Sequence, residues 1–188
     1  MKHPLAQGIK LSLLLSLCSP LAVYAQPIDF NYLEARYVSD NGDGIEVAGS
    51  YQLDSNWLAF ASYRDQDHGS YDYTNLEVGA GLIVRGLMDH DLITSAALVK
   101  REYNNHSDTG IKVSAGVRDF FFAKYLTDIQ VLRPVELRGA VNIEEVGDFD
   151  VSLELGADYH FHPSFSAGLQ FDLGGDDQAI SLGARWYY

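Results

Sequence analysis

Five stretches of this chain are variants of one pattern, and that pattern suits a β-strand and little else. They are Ile45–Tyr51, Leu76–Leu82, Ile111–Val117, Leu153–Tyr159 and Ile180–Trp186. Each runs aliphatic, polar, aliphatic, then through small residues to a bulky apolar one. Side chains alternate between the two faces of a strand, so every copy has one apolar face and one polar or small face. The copies begin at residues 45, 76, 111, 153 and 180, spacings that fit one β-hairpin with its connections. Self-similarity at such a period identifies the building unit. Five hairpins predict ten strands in a single all-β domain, with partner strands at residues 30–38, 57–64, 92–102, 134–144 and 164–173.

The partners alternate less cleanly. Val135, Leu137, Gly139 and Val141 oppose Glu136, Arg138, Ala140 and Asn142, and Phe165, Ala167, Leu169 and Phe171 oppose Ser166, Gly168, Gln170 and Asp172. In Leu92–Val99 apolar residues occupy both faces, so periodicity does not assign its inner side. One set of connections is acidic and turn-rich: Asp40–Gly44, Asp65–Thr74, Asn104–Gly110, Glu144–Asp150 and Gly174–Asp177. The other set is Asp54–Asn56, Arg85–Asp91, Arg118–Asp128 and His160–Ser164. An eight-stranded count is the competing reading. It would demote one hairpin to loop, in the loosely patterned residues 84–103 or around Phe120-Phe121-Phe122.

The last strand carries a further signal. Ile180, Leu182, Ala184, Trp186 and Tyr188 share its apolar face, and the sequence finishes on that aromatic residue. Aromatic rings are well accommodated at a membrane–water boundary. In this the chain resembles small bacterial outer-membrane β-barrels of the OmpA/OmpX-like, porin-family kind, an antiparallel transmembrane up-and-down barrel. The resemblance covers residues 26–188 and implies that the terminal aromatic strand is read by the barrel-assembly machinery. It also implies outer-membrane lipids and lipopolysaccharide as surroundings. An even strand count puts both termini on the periplasmic side and the acidic connections outside. Tyr51, Trp57, Tyr159, Phe161, Phe165, Trp186 and Tyr188 then form one aromatic girdle. Tyr37, Tyr63, Tyr73, Tyr103 and Phe171 form the other. A soluble lipocalin-like barrel would instead turn its apolar residues inward.

The N-terminus fits export to a Gram-negative outer membrane. A basic start through Lys10, the apolar run Leu11–Leu17 and Val23-Tyr24-Ala25 predict a signal peptide, residues 1–25, cleaved after Ala25. A lipoprotein signal at Cys18 is disfavoured by Leu17 before it. Cleavage removes Lys2, Lys10 and the one cysteine, so 13 basic residues become 11 against 26 acidic, a formal charge of −15. That charge argues against nucleic-acid binding. Without cysteine there is no disulfide framework or thiolate metal site. No stretch is apolar for long enough to make a transmembrane helix.

The same register sends Glu46, Glu77, Lys112, Arg118, Glu136, Arg138, Glu154, Asp158, Asp172 and Arg185 into the lumen, with Glu34 and Arg36 beside them. Charges of both signs in a narrow interior must be paired or hydrogen-bonded. The expectation is a plug of salt-bridged side chains in a non-enzymatic barrel with a structural, envelope-integrity or surface role. Inward Ala48, Ser50, Gly79, Gly81, Ser114, Gly116, Gly156 and Gly183 keep a narrow porin as the alternative. Omptin-type proteases and lipid A hydrolases are barrels too, and His68 with Asp65, Asp67 and Ser70, or His106 with Ser107 and Asp108, could supply a general base. Neither cluster matches such a family residue by residue, and loops are commonly built of these residues. His160 and His162, two apart, are predicted to share a face, which is weak evidence for a metal. Asp40–Gly44 lacks full calcium-loop spacing and reads as a hairpin turn. No cofactor, metal site or catalytic residue is assigned.

Overall fold

The structure, a computed structural model, describes residues 30–40, 42–67, 69, 72–87, 90–104, 106–120, 135–174 and 178–188. The expected signal segment and Ala25 lie outside these residues, as do His68, Ser70, Phe121, Phe122 and residues 175–177. The described residues form ten strands: β1 (Tyr32–Ser39), β2 (Asp43–Gln52), β3 (Trp57–Asp67), β4 (Asp72–Leu87), β5 (His90–Tyr103), β6 (His106–Phe120), β7 (Val135–Val146), β8 (Asp148–His162), β9 (Phe165–Gly174) and β10 (Ala179–Tyr187). Every strand pairs antiparallel with its sequence neighbour, and β1 pairs with β10, so the sheet closes on itself. Ten strands is therefore the count, and the five repeated segments are β2, β4, β6, β8 and β10.

Alternation decides which side of the wall each residue takes. Ile45, Val47, Leu76, Val78, Val113, Val141, Leu155, Leu182 and Trp186 are exposed on the outside, while Glu34, Glu46, Glu77, Glu136, Asp158 and Arg185 are buried inside. This is a globular protein's pattern inverted. Closure also removes the unpaired edge that an open sheet would present. β5 has Ala97 and Val99 buried and Leu98 outward, which settles the face that periodicity left open.

The strands are longer than the sequence suggests. Asp65–Asp67 and Asp72–Thr74, expected in a loop, continue β3 and β4 in register, with Asp67 opposite Asp72. Glu144–Asp150 shrinks to a turn at Gly147 between paired Val146 and Asp148, with Gly147 at φ 77°. That left-handed conformation costs a glycine little. Polar composition at strand ends was the misleading signal: a ladder that leaves the apolar belt keeps its hydrogen bonds and needs only polar side chains.

Tyr37, Tyr63 and Phe171 stand outside toward one end of the barrel, and Tyr51, Trp57, Tyr159, Phe165, Trp186 and Tyr188 toward the end where β1 begins beside the finish of β10, the strand-termini end. Tyr73 and Tyr103 depart from the expected girdle. Tyr73 is buried, and its ring packs against Tyr103 at 5.2 Å between centroids on the inner wall. Their parity explains it, since Tyr73 alternates in step with inward Glu77 and Tyr103 with inward Arg101.

Candidate functional site in the barrel lumen

At the termini end the lumen is filled by one hydrogen-bonded cluster around Glu136, which is 0% exposed. Tyr187 OH donates to Glu136 Oε2 at 3.2 Å, and His160 Nε2 lies 3.2 Å from the same oxygen. Arg185 donates to Glu136 Oε1 at 3.4 Å and to Glu34 Oε2 at 2.9 Å. Arg36 also donates to Glu34, at 2.7 Å. Arg138 reaches Asp158 through two nitrogens, at 3.0 and 2.7 Å, and stands 3.6 Å from Glu136. Burying a charge is tolerated when it is paired, and each charged side chain of this cluster has an opposite charge within 3.6 Å, although Arg185 Nε and His160 Nδ1 are buried without a hydrogen-bond partner.

Beside it the filling is apolar. Phe30, just before β1, packs with Leu58 and Ile83, against which Phe60 and Ile93 also lie. The Arg118 guanidinium sits 3.9 Å from the centre of the Phe30 ring, a cation–π distance. Asn31 fixes this entry segment: its side-chain oxygen accepts from Gln52 N at 2.7 Å, and its carbonyl accepts from Tyr188 N at 3.3 Å.

Against this filling the lumen opens into a chamber of about 560 Å³, which Phe30, Glu136 and Arg185 also border, whose wall includes Phe60, Asn75, Glu77, Lys112, Glu154 and Asp172 and reaches Asp148 and Asp150 at the far end. Its charges are paired across strands. Arg64 grips Glu46 at 2.9 and 2.7 Å, Lys112 donates to Glu77 at 3.0 Å, and Arg101 pairs with Glu144. Several inward glycines are not open space at all. A Cβ on Gly183 would lie 2.6 Å from Arg36 Cγ, and one on Gly156 would lie 3.0 Å from Arg138 Nη2. A Cβ on Gly168 would collide with Asp158. These glycines are seats across which a neighbouring strand's charged side chain lies.

Of the residues that the sequence sends inward, Glu46, Glu77, Lys112, Arg118, Glu136, Arg138, Glu154 and Arg185 line the lumen space, and Asp158 lies inside, bonded to Arg138. Gln170 and Tyr187 take the inner side that their parity gave them, whereas Arg64, Arg101, Glu144 and His160 belong to the same interior and escaped that reading. Extending the parity of Trp57 along β3 would have found Arg64; for Arg101 the ambiguous β5 pattern offered nothing. His160 and His162 do not share a face. A register shift between them in the β8–β9 ladder turns His160 into the lumen and leaves His162 exposed, its Nδ1 accepting from Ser164 N at 3.1 Å. His106 Nε2 meets Asp108 Oδ1 at 3.1 Å, but Ser107 between them takes the other face, so the three do not converge. Among the described residues no group of three His, Cys, Asp or Glu is placed to hold a metal ion.

Among solved structures, a KdgM porin aligns at 9% identity over 84% of this chain and 99% of that one, with a TM-score of 0.51. A KdgM porin in complex with disordered oligogalacturonate aligns at the same identity and coverage with a TM-score of 0.52. The fold is that of an outer-membrane β-barrel. The translocator domain of the autotransporter NalP from Neisseria meningitidis aligns at 12% identity over 97% of this chain and 95% of that one, with a TM-score of 0.47. No family model matches the sequence, and neither does any curated protein. At these identities the likeness is one of architecture.

Proposed function

We propose that the protein is a non-enzymatic barrel of the Gram-negative outer membrane, exported by a signal peptide cleaved after Ala25, with a structural or envelope-integrity role. Its exterior meets outer-membrane lipids and lipopolysaccharide, and its Trp186–Tyr188 end is what the assembly machinery reads. The observation that carries this reading is the dryness of the termini end of the lumen. Glu136 and Ser166 are 0% exposed there, Arg185 2% and Phe30 3%. A ten-stranded barrel is only a little wider than one that side chains fill, so a cluster of this size is enough to close it. A closed lumen braces the wall from within and spares the envelope a leak.

The chamber supports a second reading, a narrow porin for small solutes, because it leaves Arg64, Lys112 and Glu154 partly exposed inside the barrel. Planar-bilayer recording of the purified barrel separates the two. The plug predicts no steady conductance above the lipid baseline, and a weakened plug, Glu136→Ala with Phe30→Ala, predicts that steps emerge. Steady channels of one defined size from the unmodified protein would overturn the plug in favour of the porin. A non-enzymatic barrel also predicts chemically identical lipid A from cells with and without the protein.

A further inference from the structure

Two carboxylates in the chamber share their cations with other carboxylates. Glu154 on β8 and Asp172 on β9 are directly opposed in the ladder, so both face inward at adjacent positions. Like charges in that relation repel. The nearest guanidiniums are already committed. Arg64 makes its two short contacts to Glu46 and a longer hydrogen bond to Asp172 at 3.5 Å. Arg138 makes its two short contacts to Asp158 and stands 3.7 Å from Glu154. Gln170 adds an independent sign of a missing partner. It is 4% exposed and lines the chamber, its Nε2 donates to Asp172 Oδ1 at 2.9 Å, and its Oε1 has no hydrogen-bond partner. The bond from Nε2 fixes which end of the amide is the acceptor.

From this geometry we infer that the chamber binds a small primary amine through its ammonium group, held by Glu154, Asp172 and the Gln170 carbonyl. An ammonium carries one positive charge and three donors, and the corner offers a surplus of negative charge and three acceptors. A divalent ion takes six or more oxygen ligands and would have to keep waters here to complete its shell, whereas an ammonium needs only acceptors for its three donors. The space fits as well, since about 560 Å³ lies within the range of small-molecule sites and leaves room for the rest of the molecule. Asp148 and Asp150 on the far stretch of the chamber wall add negative potential along the way in, which favours entry of cations. The assignment needs a wet chamber, which the plugged barrel and the porin both have.

The test is calorimetric titration of the folded full-length barrel in detergent with 1,4-diaminobutane, with tetramethylammonium and calcium in parallel. The expected result is saturable one-to-one binding of the diamine and at least tenfold weaker binding of tetramethylammonium, which has no N–H to donate. The isosteric Glu154→Gln/Asp172→Asn double variant should lose diamine affinity at least tenfold while keeping the heat-modifiable migration of a folded barrel. If that variant does not fold, Glu154→Gln alone carries the same expectation. Absence of saturable diamine binding, equal affinity for tetramethylammonium, undiminished affinity in the variant, or a site that takes calcium and not the diamine would each overturn the assignment. The bilayer recording does not depend on any of these outcomes.

Discussion

Truncating Glu136 tests whether the plug is a structural element or a set of incidental contacts. Glu136→Ala removes the acceptor for Tyr187 OH and the partner of His160 Nε2, both at 3.2 Å, and one of the two carboxylate partners of Arg185. Removing one member of a buried ionic cluster typically costs about 3–5 kcal/mol, because the remaining charge stays buried and uncompensated. The lower end applies here, about 3 kcal/mol, since Arg185 keeps Glu34 at 2.9 Å and Arg138 keeps Asp158 at 2.7 Å. Glu154 is the internal control. Its side chain is 27% exposed and its ion-pair contact is Arg138 at 3.7 Å. Glu154→Ala should therefore cost under about 1 kcal/mol. The measurement is reversible urea unfolding in detergent micelles, followed by the fluorescence of Trp57 and Trp186 and by electrophoretic migration of the folded form. A difference of about 2 kcal/mol or more between the two variants is expected. Equal midpoints would refute the reasoning, because they would mean that full burial inside this barrel carries no energetic weight.

Two further substitutions probe the wall. Tyr188→Asp puts a charge on the lipid side, where Tyr188 is exposed, and should lower the amount of barrel assembled in cells. Tyr187→Phe, on the buried side, should leave that amount unchanged and cost about 1 kcal/mol in unfolding from its lost hydrogen bonds. Equal assembly defects would contradict the register of β10. Gly183→Val drives a side chain into Arg36 and should destabilise by about 1–3 kcal/mol, whereas Ala184→Val, pointing outward, should stay within about 0.5 kcal/mol in the same assay.

The architecture was legible because a barrel in lipid writes its inside–outside pattern directly into residue parity. Five repeated segments sufficed for strand number and pairing order, and for the direction of Glu46, Glu77, Glu154 and Arg185, while the alternation of Val135–Asn142 gave that of Glu136. Three things were not legible. Strand length was hidden where polar residues such as Asp65 and Asp67 continue the ladder, because composition reports the solvent and not the backbone. The placing of His162 depended on a register shift next to His160, and a single extra residue reverses parity without altering composition. Arg101 lay in β5, where Leu92, Ile93, Ala96 and Ala97 make both faces apolar, since its inner face meets Phe60 and Ile83 rather than charge.

Inward glycines first suggested a lumen kept open, and the structure gives them a different purpose. Arg36 lies opposite Gly183, Arg138 opposite Gly156 and Asp158 opposite Gly168 in the strand ladders. In each pair a long or charged side chain rests on a residue that has none. A barrel this narrow cannot seat charged side chains on every inward position of every strand. Alternating charged and empty positions between neighbouring strands lets each side chain lie along the wall and still reach a partner on the next strand, as Arg138 reaches Asp158 over Gly156. The same device sets the limit of the plug. On β8 and β9, Glu154 and Asp172 face each other with no glycine between them, their shared cations stand off at 3.7 and 3.5 Å, and both border the chamber.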